Sequence, residues 1–284
     1  MTADTLDPNG IRRDLPTHFV GRNVVLFAAT DSTNLRAKEL AHADAPDGTL
    51  VIADCQTSGR GRLSRQWLAP PGTSLLLSLI LRPTLAPTQA ARITMVCALA
   101  MADAIEAVAA LPVRLKWPND LLINGHKVGG ILTELGLDDD QVGFAVVGIG
   151  LNVNVDFGAE TTTYAPDEAP DTSQASVSSL TATATSLSRE LGRDVSRLKL
   201  LQQFLINVEA RYEALQRGHT PVQEWSRRLE TLGRAVTVTD AGEAITGCAE
   251  GVDADGALLL RRPDGQLVVI RAGDVTLRPP PASI

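Results

Sequence analysis

Short runs of apolar residues, separated by turn-forming residues, predict a series of β-strands along this chain. Asn124-Gly125 lies between two such runs and predicts a tight hairpin turn of the primed type. Strands joined by hairpins are antiparallel, so a mixed, largely antiparallel sheet is expected. The predicted strands are residues 24–27, 51–55, 75–81, 113–116, 121–123, 128–135 and 143–154.

Apolar residues at helical spacing predict helices between and after these strands. Asp31-Ser32 provides N-cap chemistry for the first helix. A long Ala-rich helix is predicted over residues 87–110, and Asp103 and Glu106 interrupt its apolar run, so a buried helix is expected and not a membrane span. Further helices are predicted at roughly 177–191, 194–216 and 221–229.

The pattern changes twice in the second half of the chain. Residues 156–176 contain many Asp, Thr, Ala and Pro residues and predict a long loop. After Gly233, short strands alternate with turns at 241–242, 255–256 and 264–265, which is typical of a small β-barrel. We therefore predict an α+β fold with an N-terminal tail, a main domain and a small barrel, at residues 1–20, 21–230 and 231–284.

Composition narrows the function classes. The chain has 284 residues and a net charge of -7, so no basic excess is available for broad nucleic-acid binding. Cys55, Cys97 and Cys248 lie far apart without a CxxC pair, which indicates a reducing cytoplasm and no disulfide framework. Cys55 is close to candidate chemistry, but its place at the end of a strand favours buried packing over nucleophilic catalysis. The N-terminus has no basic region followed by an apolar core, so no secretory signal is expected.

The most informative segment is residues 56–67, QTSGRGRLSRQW, which we call the Arg loop. Its glycines allow close approach of the backbone to a ligand, and each guanidinium offers planar donors for a carboxylate or phosphate. The alternative for so short a motif by itself is an ordinary solvated basic loop.

Four other motifs accompany the Arg loop, namely DSTN at 31–34, KWPND at 116–120, KVGGIL at 127–132 and GIGLNVN at 148–154. In this order and spacing, the motifs resemble the biotin protein ligase family from about residue 24 to 155, with a weaker likeness to the C-terminus. The resemblance implies a class II synthetase-like catalytic domain followed by an SH3-like β-barrel. It also implies ATP-dependent activation of biotin as biotinoyl-5'-AMP and transfer to a lysine of a biotin carboxyl carrier protein.

The resemblance further implies roles for individual residues. The catalytic set is Arg60, Arg62, Lys116 and Lys127. The biotin-binding set is Ser32, Thr33, Asn34, Gln56, Gly59, Arg60, Arg62, Lys127 and Gly130. The ATP-binding set is Arg62, Arg65, Trp67, Asn119, Asp120 and Asn152, with Asp120 also expected to hold Mg²⁺.

Several of these residues also have a structural explanation. Ser32 suits a helix cap, Gly130 suits close strand packing, and Asp120 suits a turn after proline. Trp67 and Trp117 fit walls or core better than direct ligand contacts.

One residue of the Arg loop departs from the family pattern, and the residue that covers adenine is not fixed by the motifs. Ser64 stands where the family usually has glycine, so a backbone φ above zero there would cost about 1 kcal/mol. Phe157 or Tyr164 is a candidate to cover adenine. Residues 57–66 and part of 156–176 are expected to become ordered when biotin and ATP bind.

Two other functions remain open at this point: a lipoate or octanoate ligase of the same fold, and a non-catalytic biotin-binding sensor. Lys127 and Asp120 together favour an enzyme. About 20 residues precede the first core strand, too few for a helix-turn-helix module, so no DNA partner is expected. A membrane partner is not expected either, and the chain is expected to be a monomer or a homodimer.

Overall fold

The computed structural model describes residues 5–157, 183–240 and 243–277. Its helices are α1 Pro8–Arg12, α2 Thr33–His42, α3 Ala91–Ala109, α4 Leu187–Leu191, α5 Arg197–Gln216 and α6 Val222–Arg228. Its strands are β1 Val24–Phe27, β2 Thr49–Ala53, β3 Ser74–Leu81, β4 Arg114–Lys116, β5 Asp120–Ile123, β6 His126–Asp138, β7 Gln141–Asn152, β8 Ala235–Asp240, β9 Glu243–Val252, β10 Leu258–Arg261, β11 Leu267–Ile270 and β12 Asp274–Leu277.

The first seven strands form one mixed sheet in the order β1-β2-β3-β7-β6-β5-β4. Strands β1 and β2 are parallel, and the other neighbours in this sheet are antiparallel. Asn124 and Gly125 have φ values of 51° and 79°, as the predicted primed hairpin turn between β5 and β6 requires. The predicted α+β class is therefore confirmed.

Helices cover both faces of this sheet, which is why β3 is buried along its whole length. Leu77 and Leu79 of β3 pack in the core that contains α3 and α5. Ile80 packs on the other face, against Ala37 and Ala41 of α2. Each such Leu or Ile side chain contributes roughly 1.5–3 kcal/mol by leaving water.

The predicted buried helix is α3, and polar partners surround its two acidic residues. Arg211 of α5 donates to Asp103, and Arg228 of α6 donates to Asp103 and Glu106. These pairs lie at one edge of a helix whose remaining surface is mostly buried and apolar. Within the described residues, no helix is both long enough and apolar enough to cross a bilayer.

Residues 6–20, which the sequence predicts as a tail, pack against the main core. Leu6 and Ile11 are buried in it. The carboxylate of Glu209, on α5, accepts backbone N–H groups of residues 18–20 at 2.7, 3.0 and 2.9 Å. Burial raises the pKa of Glu209, but these hydrogen bonds outweigh burial and hold the pKa below its usual value. The N-terminal segment is thus fixed to α5 by one ionised side chain.

Strands β8 to β12 form the second sheet, which is antiparallel and has the order β11-β10-β9-β8-β12. It corresponds to the predicted C-terminal β unit. The indole Nε1 of Trp117 donates to the Gly256 carbonyl at 2.9 Å, and Arg92 pairs with Asp255 at 2.9 Å. Trp117 is 2% exposed, which agrees with the core role predicted for it.

Two predicted helices are shorter than expected. Helix α3 begins at Ala91, after a 3₁₀ turn at Pro87–Gln89. In the described part of 177–191 the helix is limited to α4, because residues 183–185 instead bond to Lys127. Lys127 N donates to the Thr183 carbonyl, and Thr185 N donates to the Lys127 carbonyl, each at 2.9 Å.

The expectations for residues 158–176, including Tyr164, and for the turn at 241–242 lie outside the described residues.

Candidate active site

The Arg loop connects β2 to β3 and folds back on itself as a small hairpin. Gly61 N donates to the Arg65 carbonyl at 2.7 Å, and Trp67 N donates to the Gly59 carbonyl at 3.0 Å. Arg60 and Gln66 form an isolated antiparallel bridge between these two bonds. The hairpin brings the Trp67 ring against the sheet, beside Gly150 of β7.

Glycine is required at two places around Trp67. A Cβ atom at Gly59 would collide with the Trp67 carbonyl oxygen. A Cβ atom at Gly150 would lie 2.5 Å from Cε2 of the Trp67 indole. The ring therefore lies flat against β7, which agrees with the wall predicted for Trp67.

The tip of the Arg loop has a left-handed backbone. Leu63 has φ 53° and Ser64 has φ 59°. Ser64 therefore has the positive φ at which glycine is favoured. A serine in this conformation costs about 1 kcal/mol relative to glycine.

Lys127 and Asp120 form the floor of the site, on the hairpin of β5 and β6. Lys127 Nζ lies 2.6 Å from Asp120 Oδ1 and 5.8 Å from the centroid of the Trp67 ring. A Cβ atom at Gly130 would lie 3.3 Å from Lys127 Nζ, so this glycine leaves space for the ammonium group. The register of β5 and β6 shifts between Leu121 and Leu122, which places Lys127 and Gly130 on either side of the irregularity.

At the other end of the site, the start of α2 meets the Arg loop. Gln56 Oε1 accepts the backbone N–H of Thr33 at 2.7 Å and lies 3.1 Å from the Thr33 hydroxyl. Ser32 is the N-cap residue of α2, but its side chain makes no capping hydrogen bond. Asp31 accepts the Ser32 N–H at 2.7 Å, so the side-chain acceptors at the start of α2 are Asp31 and Gln56, and not Ser32.

Two arginines of the loop lie near polar side chains of β6 and of the turn before β5. Arg60 Nη1 lies 3.6 Å from Glu134 Oε1, and Arg62 Nη1 donates to Asn119 Oδ1 at 3.5 Å. Burial lowers the pKa of Arg62, although Asp274 and Asp120 act in the opposite direction. The nearby carboxylates offset only part of the cost of removing this guanidinium from water, so the group is suited to binding an anion.

The guanidinium of Arg65 contacts the carboxylate of Asp274 at the start of β12. This contact links the Arg loop to the second sheet. Local sequence patterns do not predict the contact between Arg65 and Asp274, because the two residues lie in different domains. The contact of Arg65 with the triphosphate stays a prediction.

The remaining predicted residues are placed as follows. Lys116 lies on β4 directly opposite Asp120. Asn152 is buried, and its amide nitrogen donates to the Thr185 carbonyl at 3.1 Å. Cys55 is 5% exposed, and burial together with Asp54 raises the pKa of its thiol, which confirms packing as its role.

Asn34 is also buried, and its amide is occupied by protein partners. Its nitrogen donates to the Leu132 carbonyl at 3.3 Å and to Glu134 Oε2 at 2.9 Å. Ser78 Oγ lies 2.6 Å from its oxygen. Glu134 and Ser78 were not predicted. The available signal was the presence of polar residues in two largely apolar strand segments, Ser78 in one and Thr133-Glu134 in the other.

One other group of potential metal ligands occurs in the described residues. Ligand atoms of His18, Glu209 and Glu213 lie within 4.8 Å of one another. Both carboxylate oxygens of Glu209 already accept hydrogen bonds from the N-terminal segment.

The site as a whole places cationic groups where two anions could meet. Lys127 lies beside the Trp67 ring, Arg60 beside Glu134 and Arg62 beside Asn119. Asp120 has a second carboxylate oxygen beyond the one paired with Lys127. Cationic groups of this kind are suited to neutralising and aligning a carboxylate and a phosphate, a chemistry that needs no cysteine or serine nucleophile.

Comparisons with known proteins agree with this geometry. The family model described as "Biotin/lipoate A/B protein ligase family" matches residues 26–153, and "Biotin protein ligase C terminal domain" matches residues 231–278. The bifunctional ligase/repressor BirA of Bacillus subtilis is 36% identical over 274 residues, which cover 96% of this chain and 79% of that protein.

Two further relatives match over almost their full length. The biotin--[acetyl-CoA-carboxylase] ligase of Mycobacterium tuberculosis is 33% identical over 287 residues, covering 96% of this chain and 97% of that protein. The structure of a biotin protein ligase from Aquifex aeolicus in complex with biotin and ATP aligns with a TM-score of 0.69 at 28% identity, covering 90% of this chain and 99% of that one.

Proposed function

This chain belongs to the biotin protein ligase family, and from that premise we propose how its residues divide the work of the reaction. The protein is a biotin-activating ligase that uses ATP. In the first step, a carboxylate oxygen of biotin attacks the α-phosphorus of ATP and pyrophosphate leaves. In the second step, an amine attacks the acyl carbon, AMP leaves, and a proton is released from the new amide nitrogen.

The first step brings two anions together, so its main barrier is electrostatic. Unit charges 4 Å apart interact by about 4 kcal/mol at an effective dielectric constant of 20. Arg60 and Lys127 offset this repulsion by holding the carboxylate and the α-phosphate. The observation that carries this assignment is the position of Lys127, whose ammonium lies beside Gly130 and the Trp67 ring with space around it.

Arg62 closes the loop over the adenylate, and Asn119 orients it. The Asn119 amide nitrogen donates to the Ile131 carbonyl at 2.6 Å, which directs its oxygen towards Arg62. The partly desolvated guanidinium gains most when an anion arrives, because little in the ligand-free site compensates its charge.

The nucleotide is held by Trp67, Asn119 and Asp120. Mg²⁺ needs one or two carboxylates in addition to phosphate oxygens, and Asp120 has one carboxylate oxygen that Lys127 does not use. Asp120 would therefore hold the metal, which supplies charge neutralisation to the phosphates when bound. Arg65 reaches the triphosphate by exchanging Asp274 for a phosphate oxygen. Asn152 supports the nucleotide site indirectly, because its hydrogen bond to the Thr185 carbonyl holds residues 183–185 beside Lys127.

At the biotin end, Thr33 and Gln56 contact the ureido ring, with Ser32 and Gly59 shaping the wall. We propose that the acceptor is a lysine on a biotin carboxyl carrier protein; the names of two relatives give acetyl-CoA-carboxylase as the protein that those enzymes modify. Lys116, opposite Asp120, orients the reacting carboxyl group. Three free cysteines suit a reducing cytoplasmic location.

One assay tests the substrate assignment. Purified protein with ATP and magnesium is offered biotin, lipoate or octanoate separately, and ligand-dependent exchange of pyrophosphate into ATP is measured. Biotin should support exchange at least a hundredfold better in kcat/KM than the other two acids. Because the matched family model also covers lipoate ligases, a preference for lipoate or octanoate would replace biotin as the substrate.

A further inference from the structure

Three potential metal ligands lie together outside the candidate active site, where the N-terminal segment packs on α5. Their ligand atoms, one each from His18, Glu209 and Glu213, lie within 4.8 Å of one another. Glu209 and Glu213 are four positions apart on α5, so their side chains share one face of this helix. One imidazole nitrogen and two carboxylate oxygens are ligands that suit a divalent first-row metal ion.

The separation of two of these ligands already fits a shared metal ion. His18 Nδ1 lies 3.2 Å from Glu209 Oε1. Two ligands bound tetrahedrally to one Zn²⁺ ion, each at about 2.0–2.2 Å, are roughly 3.3–3.6 Å apart. An ion can therefore replace the proton between these two atoms with little movement of either side chain. The imidazole then carries its proton on Nε2, which water can reach because the His18 side chain is 86% exposed.

Glu209 is fixed in position for this role by backbone hydrogen bonds. Its Oε1 accepts the His18 N–H at 2.7 Å, and its Oε2 accepts the N–H groups of Phe19 and Val20 at 3.0 and 2.9 Å. A carboxylate oxygen has two lone-pair sites, so Oε1 can keep its backbone hydrogen bond and also bind an ion. A ligand oriented by hydrogen bonds in this way loses little freedom when the metal binds.

Glu213 supplies the third ligand and is the side chain that must move. It is partly exposed, and its ion-pair partner Arg217 lies 3.6 Å away, too far for a hydrogen bond. Rotation of the Glu213 side chain can therefore close the gap to the other two ligands. A cavity of about 340 Å³ adjoins Glu213 and is also lined by Asp47 and Gln216. This polar cavity has room for water molecules that complete the coordination of the ion.

We propose that His18, Glu209 and Glu213 form a structural binding site for a divalent first-row transition-metal ion such as Zn²⁺. The bound ion joins the N-terminal segment to α5, in addition to the backbone hydrogen bonds of Glu209. Because only the folded chain brings the three ligands together, metal binding stabilises the native state. The inference does not depend on the proposed function, since none of the three residues belongs to the candidate active site.

The test is thermal denaturation of the whole chain without nucleotide, in the presence and absence of Zn²⁺. The measurement is made at about pH 7.5, because the ligating groups must be deprotonated. Free Zn²⁺ at about a hundredfold above its dissociation constant should raise the Tm by about 5 °C or more. His18→Ala and Glu213→Gln each remove one ligand from an accessible position, so both variants should fold. Each should lose more than half of the shift in Tm.

His219→Ala is the matched control, because His219 is an exposed histidine just after α5 and outside the cluster. This variant should keep the full shift. Titration calorimetry with Zn²⁺ gives a second measurement, in which His18→Ala should weaken binding at least tenfold and His219→Ala should leave it unchanged. If the unchanged protein shows no shift, or if His18→Ala and Glu213→Gln keep the shift, the three residues do not form the site and the proposal is overturned.

Discussion

Replacing Lys127 with alanine is the most direct test of the charge argument. The ammonium forms an ion pair with Asp120 at 2.6 Å, with side-chain exposures of 37% and 19%. A pair this accessible contributes at most about 1 kcal/mol to folding. Lys127→Ala should therefore remain folded, with an unfolding free energy lowered by about 1 kcal/mol or less.

The effect on catalysis should be far larger. In the proposed mechanism Lys127 contacts both the carboxylate and the phosphate in the transition state, and each charge-assisted contact is worth about 1.5–3 kcal/mol. Losing both raises the barrier by about 3–6 kcal/mol, which slows adenylate formation by roughly 10² to 10⁴-fold. Biotin-dependent pyrophosphate exchange measures this rate directly.

Two controls separate the charge from the fold. Lys199→Ala removes an exposed lysine on α5, away from the site, and should leave exchange unchanged. The alcohol analogue of biotin has no carboxylate, so its affinity should differ little between Lys127→Ala and the unchanged protein. Exchange above one tenth of the original rate in Lys127→Ala would refute the proposed role of this residue.

Three other changes have defined outcomes. Arg62→Gly should speed release of the adenylate roughly ten- to a hundredfold, seen as biotinylation of an unrelated lysine-rich protein; loss of adenylate formation would instead place Arg62 in the chemical step. Glu209→Ala should lower the unfolding free energy by about 2–4 kcal/mol in thermal denaturation, since several backbone donors lose their acceptor. Because the folded-state pKa of Glu209 is lowered, its contribution is present at neutral pH and is lost as the pH falls through that value, so an unchanged acid-unfolding curve would contradict this role. Gly148→Ala would drive a Cβ atom into Asn34 and should raise the KM for biotin about tenfold, whereas an unchanged KM would show that the Asn34 position is unimportant.

Local patterns in the sequence were sufficient to predict the strands, the Asn124-Gly125 turn and the buried character of α3. Each depends on neighbours within a few positions, through side-chain periodicity or through φ preferences. The order of the motifs was likewise sufficient to identify the family. The positive φ considered for Ser64 is present in the structure. Helix boundaries were less accurate, because residues 183–185 bond to Lys127 and do not continue a helix.

The partners of the polar side chains were decided by the tertiary structure. Periodicity places Ser78 and Glu134 on one face of their strands, but it does not say which residues of α2 meet them there. The order β3-β7-β6 and the packing of α2 across it bring Ser78, Asn34 and Glu134 together. In the same way, the contact between the Arg loop and the second sheet pairs Arg65 with Asp274. Such contacts join residues far apart in the chain, so they depend on strand register and domain packing, which local sequence patterns do not encode.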